Sequence, residues 1–351
     1  MPGLQTKTPN AAPADASNML ARPEDGGLTF DVIVPAHQAS NDIGACLAAI
    51  RAAGFRNEEI LVVDDGSRDG SGTIARAAGI RVIRNETALR PANARNTGVA
   101  ATSSDVIVFV DADVLIAPGS RARIATFFSR SPEFAALFGS YDDAPAALRP
   151  ISRYRNLLHH FVHQHSQPEA ATFWTGFGAV RRPAFEAEGG FDPSWENIED
   201  VEFGLRLKAR GGRIRLDRDL LCKHRKDWTL GGMFRTDWKG RAVPWTRLLS
   251  QRRTRKGDLN LSRAHQISAA LVAVFPVALL AFAVWLPALW LLLACLAGFV
   301  AVNGRFFALT LRRGGIWFAV CAVAFHAIHY AAALLGYAQV KILEPFRAAR
   351  R

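Results

Sequence analysis

Strand-like and helix-like stretches alternate from Thr29 to Val110, and this alternation constrains the fold more than any other feature of the chain. The strand-like runs are apolar and rich in β-branched residues, whereas the stretches between them have the spacing of amphipathic helices. The predicted strands are Phe30–Pro35, Glu59–Asp64, Ile80–Arg84 and Val106–Val110, and the predicted helices are Asp42–Ala53, Ser71–Ala78 and Ala92–Ala101. This order predicts an α/β domain with a Rossmann-like, mostly parallel sheet and helices on both faces.

Two aspartates close the last of these strands. Asp111 and Asp113 follow Val106–Val110, with a single alanine between them. Side chains alternate along a strand, so both carboxylates project to the same side, where they repel each other unless a cation lies between them. Mg²⁺ or Mn²⁺ takes oxygen ligands and often shares them with a diphosphate. The pair predicts a divalent-metal site, and a solvated turn with two unrelated aspartates is the alternative.

The second predicted strand also ends in acidic residues. Asp64 and Asp65 precede a glycine-containing turn that runs to Gly70. In doubly wound sheets, ligands bind beyond the carboxyl ends of the strands. Carboxylates there can accept hydrogen bonds from a nucleobase imide N–H and from ribose hydroxyls. An ordinary strand-to-helix turn is the alternative, but the shared location of this pair with Asp111 and Asp113 favours a nucleotide-diphosphate site.

The formal net charge of the chain is +12, and many of its basic residues lie between His224 and Arg263. A basic region of this kind can meet nucleic acid, anionic lipid or a phosphorylated substrate. No helix-turn-helix, zinc-finger or RNA-binding signature is visible and the region runs into membrane-type sequence, so we expect no nucleic-acid partner. The four cysteines form no C-x-x-C pair, which is typical of reduced thiols in the cytosol.

Three long uncharged stretches follow the basic region, at Ile267–Leu286, Pro287–Val302 and Ile316–Leu335. Stretches of this length predict membrane helices, and a buried soluble bundle is the alternative. The basic residues before the first stretch predict a cytoplasmic start. Two crossings return the chain to the cytoplasmic side at Arg305, whereas a third full crossing would leave the basic C-terminus outside. The sequence leaves open whether the third stretch crosses.

Four short motifs occur in a specific order: Val32–Ala36 (VIVPA), Val62–Gly70 (VVDDGSRDG), Ala94–Gly98 (ARNTG) and Phe109–Asp113 (FVDAD). In this order they resemble family 2 of the nucleotide-sugar glycosyltransferases. The resemblance continues at Trp174–Arg182, Gly189–Asp192 and Ile198–Leu207, and it covers about Thr29 to Trp245. It implies the GT-A fold and transfer of a sugar with inversion at the anomeric carbon.

The resemblance also implies roles for matched positions. Asp200 would be the catalytic base, although an acidic pair at a helix start also complements the helix dipole. Asp111 and Asp113 would bracket a Mg²⁺ or Mn²⁺ ion and the diphosphate, and His224 would be a third metal ligand or else a surface histidine. The nucleotide sugar would contact Pro35, Asp64, Asp65, Arg95 and Asp111, and the sugar or acceptor pocket would contain Trp174, Gly176, Gly178 and Glu199.

The pocket assignments have plainer alternatives. A tight turn explains the two glycines nearly as well as close approach of a sugar does, and core packing explains Trp174. His159 and His163 have the i, i+4 spacing of a metal pair, but without a nearby Glu or Cys partner the spacing favours an interfacial or acceptor-side helix.

The chain departs from the family pattern at two places. His37-Gln38 stands where Tyr-Asn is more usual, and the Gln-x-x-Arg-Trp motif of processive synthases is absent, the corresponding region being Arg235–Arg241. We therefore expect transfer of a single sugar from a nucleotide sugar, most often a UDP-sugar. The expected acceptor is a lipid, a polyprenyl phosphate or a lipid-linked glycan at the bilayer surface. A nucleotidyltransferase and a non-catalytic membrane scaffold that retains the fold are the alternatives.

The sequence predicts a disordered tail over 1–27, a GT-A domain over 28–245 and a basic juxtamembrane segment over 246–264. A membrane region with two to three helices over 265–341 and a basic tail over 342–351 would follow. This organisation predicts a multi-pass protein of the inner, cytoplasmic membrane with its catalytic domain in the cytosol.

Overall fold

The computed structural model of the protein describes residues 26–251 and 263–344. Nearly all of the predicted tail 1–27, part of the basic segment (252–262) and the last residues (345–351) lie outside the described residues. Within the segment predicted as a basic linker, a helix extends as far as Gln251.

The described residues contain eight strands that form one sheet, in the order β3-β2-β1-β4-β7-β6-β8-β5. The strands are β1 (Phe30–Ala36), β2 (Ile60–Asp65), β3 (Arg81–Asn85), β4 (Val106–Val110), β5 (Val114–Ile116), β6 (Phe134–Tyr141), β7 (Phe177–Arg181) and β8 (Arg213–His224). Strands β3-β2-β1-β4 are parallel, as the alternating sequence pattern predicts. Beyond β4 the sheet is mixed: β7 runs antiparallel to β4 and β6, β8 runs parallel to β6, and β5 runs antiparallel to β8.

The helices are α1 (Ile43–Ala52), α2 (Ser71–Ala77), α3 (Arg90–Ala100), α4 (Ser120–Arg130), α5 (Pro150–His165), α6 (Arg182–Ala187), α7 (Glu199–Ala209), α8 (Leu230–Arg235), α9 (Val243–Gln251), α10 (Arg263–Val284), α11 (Leu289–Val302) and α12 (Gly304–Ala338). A π-helical turn, Thr236–Ala242, joins α8 to α9, and a second, Gln339–Leu343, follows α12.

Alternate residues of the central strands face two different hydrophobic cores. Val32 of β1 and Val108 of β4 pack against α1, α2 and α4. Ile33 and Phe109, one position further along the same strands, pack against α3, α6 and α7. This period of two, with both faces buried, is what a sheet covered by helices on both sides requires. The predicted fold class is therefore confirmed.

The sheet brings the functional candidates to one edge. The carboxyl ends of β1, β2 and β4 lie there because these strands are parallel. The loop that leads into antiparallel β7 meets the same edge, and the backbone N–H of Asp111 donates to the carbonyl of Gly176 at 3.2 Å. Strand β8 ends opposite Val114, which brings His224 beside the Asp111–Asp113 turn.

Helices α10 and α11 form an antiparallel pair, in which the side chain of Asn303 donates to Ser268 Oγ at 2.9 Å. Helix α12 is interrupted at Gly315, whose φ of +75° lies in the left-handed region. In the part of the chain that the structure describes, two helical segments are long and apolar enough to cross a membrane: Arg263–Val284 and Gly304–Leu343, with mean hydropathy of 2.6 and 1.9. The middle predicted stretch forms the shorter helix α11.

Candidate active site

The carboxylates of Asp64 and Asp65 are buried at the end of β2 and already accept several hydrogen bonds. Asp64 accepts from the backbone N–H of Ser67 (2.9 Å) and from Arg84 Nη1 (2.6 Å). Asp65 accepts from the side chain of Asn85 and from the backbone N–H groups of Leu89 and Arg90, at 2.7 to 2.9 Å. Both aspartates thus shape the loops that follow β2 and β3. Pro35 lies in the neighbouring strand β1, in register with Val63.

A buried arginine connects the end of β4 to the start of α7. Arg95 on α3 donates through Nη2 to Asp111 Oδ1 and through Nη1 to Glu199 Oε1, both at 2.7 Å. Burial alone would lower the pKa of Arg95, but the charges of Asp111 and Glu199 outweigh it and raise the pKa. Arg95 Nε has no hydrogen-bond partner among the described residues. The guanidinium is therefore a fixed positive charge beside the predicted diphosphate site.

Asp113 and His224 form the second polar pair at this edge. His224 Nε2 lies 3.2 Å from Asp113 Oδ2, and side-chain exposure is 18% for the histidine and 30% for the aspartate. Burial would raise the pKa of Asp113, but the hydrogen bond from His224 and the positive charge of Lys226 lower it overall. Asp113 is thus an ionised, accessible carboxylate beside an imidazole.

This pair fits part of a metal site. A carboxylate oxygen and an imidazole nitrogen are both ligands of Mn²⁺, and Mg²⁺ is often held by one carboxylate together with substrate phosphates. Among residues 26–251 and 263–344, no three His, Cys, Asp or Glu side chains lie close enough together to enclose an ion. An ion bound by Asp113 and His224 would therefore take its remaining ligands from outside the protein.

Asp200 lies in the first turn of α7, where it is held by a loop residue that sequence reasoning missed. Its Oδ2 accepts from the backbone N–H of Thr175 at 3.2 Å and from the Thr175 hydroxyl at 3.4 Å. Burial and the negative charge of Glu199 raise the pKa of Asp200 to about 6, against the opposing charge of Arg95. A carboxylate with such a pKa is a better proton acceptor near neutral pH than an ordinary aspartate.

Trp174 occupies the space that the neighbouring glycines leave open. A Cβ on Gly176 would lie 2.3 Å from the Trp174 ring, and one on Gly178 would lie 2.3 Å from the Trp174 carbonyl oxygen. The Trp174 ring packs beside Tyr141, with centroids 4.9 Å apart. Trp174 lines a large central cavity, whereas the two glycines do not line it. The lack of a side chain at these two glycines therefore leaves room for Trp174 to fold across the backbone.

Several of the candidate residues line one large cavity of about 1070 Å³, whereas Pro35, Asp64, Asp65 and Asp113 are not among its lining residues. At one end Arg95, Asp111, Glu199 and Asp200 line it, and His224 lies nearby in its wall. The cavity continues along α5 and reaches the beginning of α10 and the junction of α11 with α12. The residues that line this far end are Ala264, His265, Val302, Asn303, Arg305, Phe306 and His326. A single space thus joins the predicted catalytic carboxylate to the apolar C-terminal helices.

The wall between these two ends contains histidines and an arginine. His159 and His163 on α5 line the cavity. Burial and nearby positive charges keep both imidazoles neutral: the pKa of His159 is well below its usual value and that of His163 is about 4. Arg241 Nη1 lies 3.3 Å from His159 Nε2. Burial and the charge of Arg155 lower the pKa of Arg241.

Sequence reasoning missed both Arg241 and Thr175. Arg241 lies in Arg235–Arg241, where the sequence shows only the absence of the processive motif, and a lone arginine in a basic region gives no signal of its own. Thr175 lies inside the Trp174–Arg182 motif. Its contact with Asp200 spans 25 residues, so only the fold brings the two together.

Comparison with known proteins agrees with the predicted family and fold. Residues 31–189 match the model of the family described as Glycosyl transferase family 2. This part of the chain is similar to family 2 glycosyltransferases. The matched segment includes both aspartate pairs, Arg95 and Trp174, and the residues that follow it contain α7 with Asp200.

Two curated relatives have related sequences. The pre-mycofactocin glycosyltransferase of Mycobacterium tuberculosis is 27% identical over 247 residues, which cover 66% of this chain and 50% of the relative. The poly-beta-1,6-N-acetyl-D-glucosamine synthase of Staphylococcus aureus is 22% identical over 231 residues, which cover 62% of this chain and 53% of the relative. The chain thus spans about half the length of these relatives.

Among solved structures, the mannosyltransferase PcManGT of Pyrobaculum calidifontis, determined with GDP-Man and Mn²⁺, superposes with a TM-score of 0.54. The match covers 90% of this chain and 87% of that protein, at 16% sequence identity. At this level of identity the likeness concerns the fold alone, and it confirms the predicted GT-A architecture.

Proposed function

We propose that this protein transfers a single sugar from a nucleotide-diphosphate sugar to a lipid, polyprenyl-phosphate or lipid-linked glycan acceptor, with inversion at the anomeric carbon. The observation that carries the proposal is the cavity that joins Asp200 to the apolar helices α10–α12. An acceptor that enters from the membrane side can place its hydroxyl at Asp200, while the donor lies at the carboxyl ends of β1, β2 and β4.

The donor would bind along the loops after these strands. Asp64 and Asp65 would hold the base and ribose, next to Pro35, and Arg95 and Asp111 would lie at the diphosphate. A UDP-sugar is our first choice of donor. The sequence predicts Asp111 as a further metal ligand, but Asp111 is paired with Arg95, so a Mg²⁺ or Mn²⁺ ion would be held by Asp113 and His224 together with ligands from the donor. Such an ion would supply positive charge to the diphosphate as it leaves. Arg95 and the nearby Lys226 add charge of the same sign from the protein.

Asp200 would act as the general base. The acceptor hydroxyl must lose a proton as it attacks the anomeric carbon, and a carboxylate within hydrogen-bond range can take that proton. Thr175 fixes one carboxylate oxygen, and Glu199 and burial raise the proton affinity. Trp174 offers an aromatic wall for a sugar ring. Attack from the face opposite to the leaving diphosphate inverts the configuration.

The proposed location follows from the same geometry. The apolar helices α10–α12 would attach the enzyme to the inner, cytoplasmic membrane, and the catalytic domain would face the cytosol, where nucleotide sugars are made. The surface beside the cavity carries basic residues, which suits a site at an anionic bilayer surface.

A donor screen tests this function. Detergent-purified protein is mixed with membrane lipid extract, a divalent metal or EDTA, and a panel of UDP-, GDP- and TDP-sugars. We expect metal-dependent release of nucleoside diphosphate from one donor. Release of pyrophosphate from nucleoside triphosphates would instead favour a nucleotidyltransferase, and a failure to bind any nucleotide sugar by calorimetry would favour a non-catalytic scaffold.

A further inference from the structure

The last long helical segment is attached to the catalytic domain at both of its ends. Near its start, Arg153 of α5 donates to the backbone carbonyl of Arg313 at 2.9 Å, and its guanidinium lies 4.6 Å from the ring centroid of Phe318. Near its end, Trp238 Nε1 donates to Gln339 Oε1 at 3.1 Å. The segment therefore begins and ends against the same domain.

The middle of the segment is also docked to that domain. His326 Nδ1 is 2.8 Å from the hydroxyl of Tyr154 on α5, and His329 Nδ1 is 2.8 Å from Asp237 Oδ2. Asp237 also accepts from the buried Arg155 at 2.7 Å. These buried polar contacts satisfy groups that would be costly to leave unpaired in hydrocarbon.

A segment that contacts the catalytic domain along its whole length cannot also cross the membrane. From Ile316 to Leu343 the segment is 28 residues long, and at 1.5 Å per residue it extends for about 42 Å. To place this length across a bilayer, the catalytic domain would have to enter the hydrocarbon together with its buried ion pair Arg155–Asp237. A charged pair on a water-soluble domain opposes such insertion.

The face turned away from the domain is nevertheless strongly apolar. Trp317 is 81% exposed, and Val320, Leu335 and Ile342 are about half-exposed. Their spacing places them on one side of the helix, away from the docked residue His326. These exposed residues form an apolar strip. Helix α12 also packs against α10 and α11, so the same partner can cover the strip and the α10–α11 pair.

We propose that Ile316–Leu343 lies in the plane of the membrane surface, with its apolar strip in the cytoplasmic leaflet, and that only the α10–α11 pair enters the bilayer. The partner of the strip is lipid. The basic residues Arg313 and Lys341, at the two ends of the segment, then stay on the cytoplasmic side, which agrees with the tendency of positive charge to remain there. The third stretch of the sequence is thus a surface helix, and the C-terminus stays on the side of the catalytic domain.

Tag accessibility tests the sidedness in the full chain. Epitope tags at the N- and C-termini are exposed to protease in intact spheroplasts and in inverted membrane vesicles. We expect both tags to survive in spheroplasts and both to be lost in inverted vesicles. Loss of the C-terminal tag alone in spheroplasts would mean that the segment crosses, and it would overturn the proposal.

Depth measurements test the orientation independently. Single cysteines replace Val320, Leu335 and Leu280 in a variant that lacks the native cysteines, and a fluorophore on each is quenched by lipids with nitroxides at different depths. Val320 and Leu335 are 15 residues apart, about 22 Å along a helix. We expect equal, shallow depths at these two sites and a deeper position at Leu280 on α10. Depths that differ by most of this length would overturn the proposal, as would full exposure of both sites to water-soluble quenchers or their burial in a protein dimer.

Discussion

Arg95 Nη2 lies 2.7 Å from Asp111 Oδ1, which makes an ion pair between α3 and the end of β4. Through Nη1, the same guanidinium holds Glu199, the neighbour of Asp200. The side chains of Arg95 and Glu199 are 5% and 8% exposed, so the charges compensate one another in a poorly solvated place. This arginine therefore connects the predicted diphosphate site to the helix that carries the predicted base.

Removal of this arginine should be costly for stability. In Arg95→Met the buried carboxylate of Glu199 loses its partner, and loss of one member of a buried pair costs about 3–5 kcal/mol. In the double variant Arg95→Met/Glu199→Gln the uncompensated charge is absent, so we expect part of that loss to be recovered. Thermal and denaturant unfolding of the two single variants and the double variant measure the coupling. If the two substitutions had additive effects on the free energy of unfolding, Arg95 and Glu199 would not be coupled, which would contradict the prediction.

The pKa of Asp200 predicts the acid side of the activity profile. A base with a pKa of about 6 is deprotonated at pH 7 and protonated at pH 5, so kcat/KM should fall roughly tenfold per unit below pH 6. In Glu199→Gln one charge that raises this pKa is absent, and we expect the inflection to move to lower pH. Initial rates between pH 4.5 and 8.5 test both points. A flat profile from pH 5 to 8 would contradict the role of Asp200.

The proposed role of Asp113 and His224 as metal ligands predicts how activity depends on metal concentration in variants of these residues. Asp113→Ala should abolish metal-dependent turnover, and His224→Ala should raise the metal concentration for half-maximal activity by about 10–100-fold, the range typical of a weakened metal site. Asp217→Asn is the matched control, because Asp217 pairs with Arg123 and does not line the central cavity. Titrations of Mn²⁺ and Mg²⁺ against initial rate distinguish the variants. An unchanged metal response in both active-site variants would place the ion elsewhere.

The contact between Gly176 and Trp174 predicts a steric effect. In Gly176→Ala the new Cβ would lie 2.3 Å from the indole ring, so the ring must move, at a cost of about 1–3 kcal/mol typical of overpacking. We expect a lower melting temperature, changed tryptophan fluorescence and a higher KM. Gly231→Ala is the control, because a Cβ added there would meet no other atom within 4 Å. Equal melting temperatures, fluorescence and KM values in the two variants would contradict the packing role of Gly176.

The nucleotide-binding half of the fold is predictable from sequence because its signals are local. Strand β4 consists of five consecutive apolar residues, and the structure places it at the predicted bounds, Val106–Val110. Strand β1 ends one residue later than predicted, and β2 and β3 both begin and end one residue later, since strand ends are set by loop contacts such as those of Asp65.

The second half of the sheet is not predictable in the same way. Strands β5, β6 and β7 have no separate prediction, because β7 pairs with β4 across about 70 residues and its sequence has no clean alternation. The strand-like run Leu216–Cys222 of the sequence is part of the longer β8. The cavity depends on still longer contacts, such as Tyr154 with His326, which are 172 residues apart. Local patterns contain no information about such pairs.

Transfer of labelled sugar into lipid tests the central claim most directly. Membranes that contain the wild-type protein, Asp200→Asn or Asp219→Asn are incubated with metal and the donor found in the screen, and label in the butanol-extractable fraction is measured. Asp219 is the control because its side chain is 81% exposed and does not line the cavity. We predict metal-dependent incorporation for the wild type and for Asp219→Asn, and a loss of about 10²–10⁴-fold for Asp200→Asn, the contribution expected of a general base. Equal incorporation by Asp200→Asn and the wild type would contradict the account.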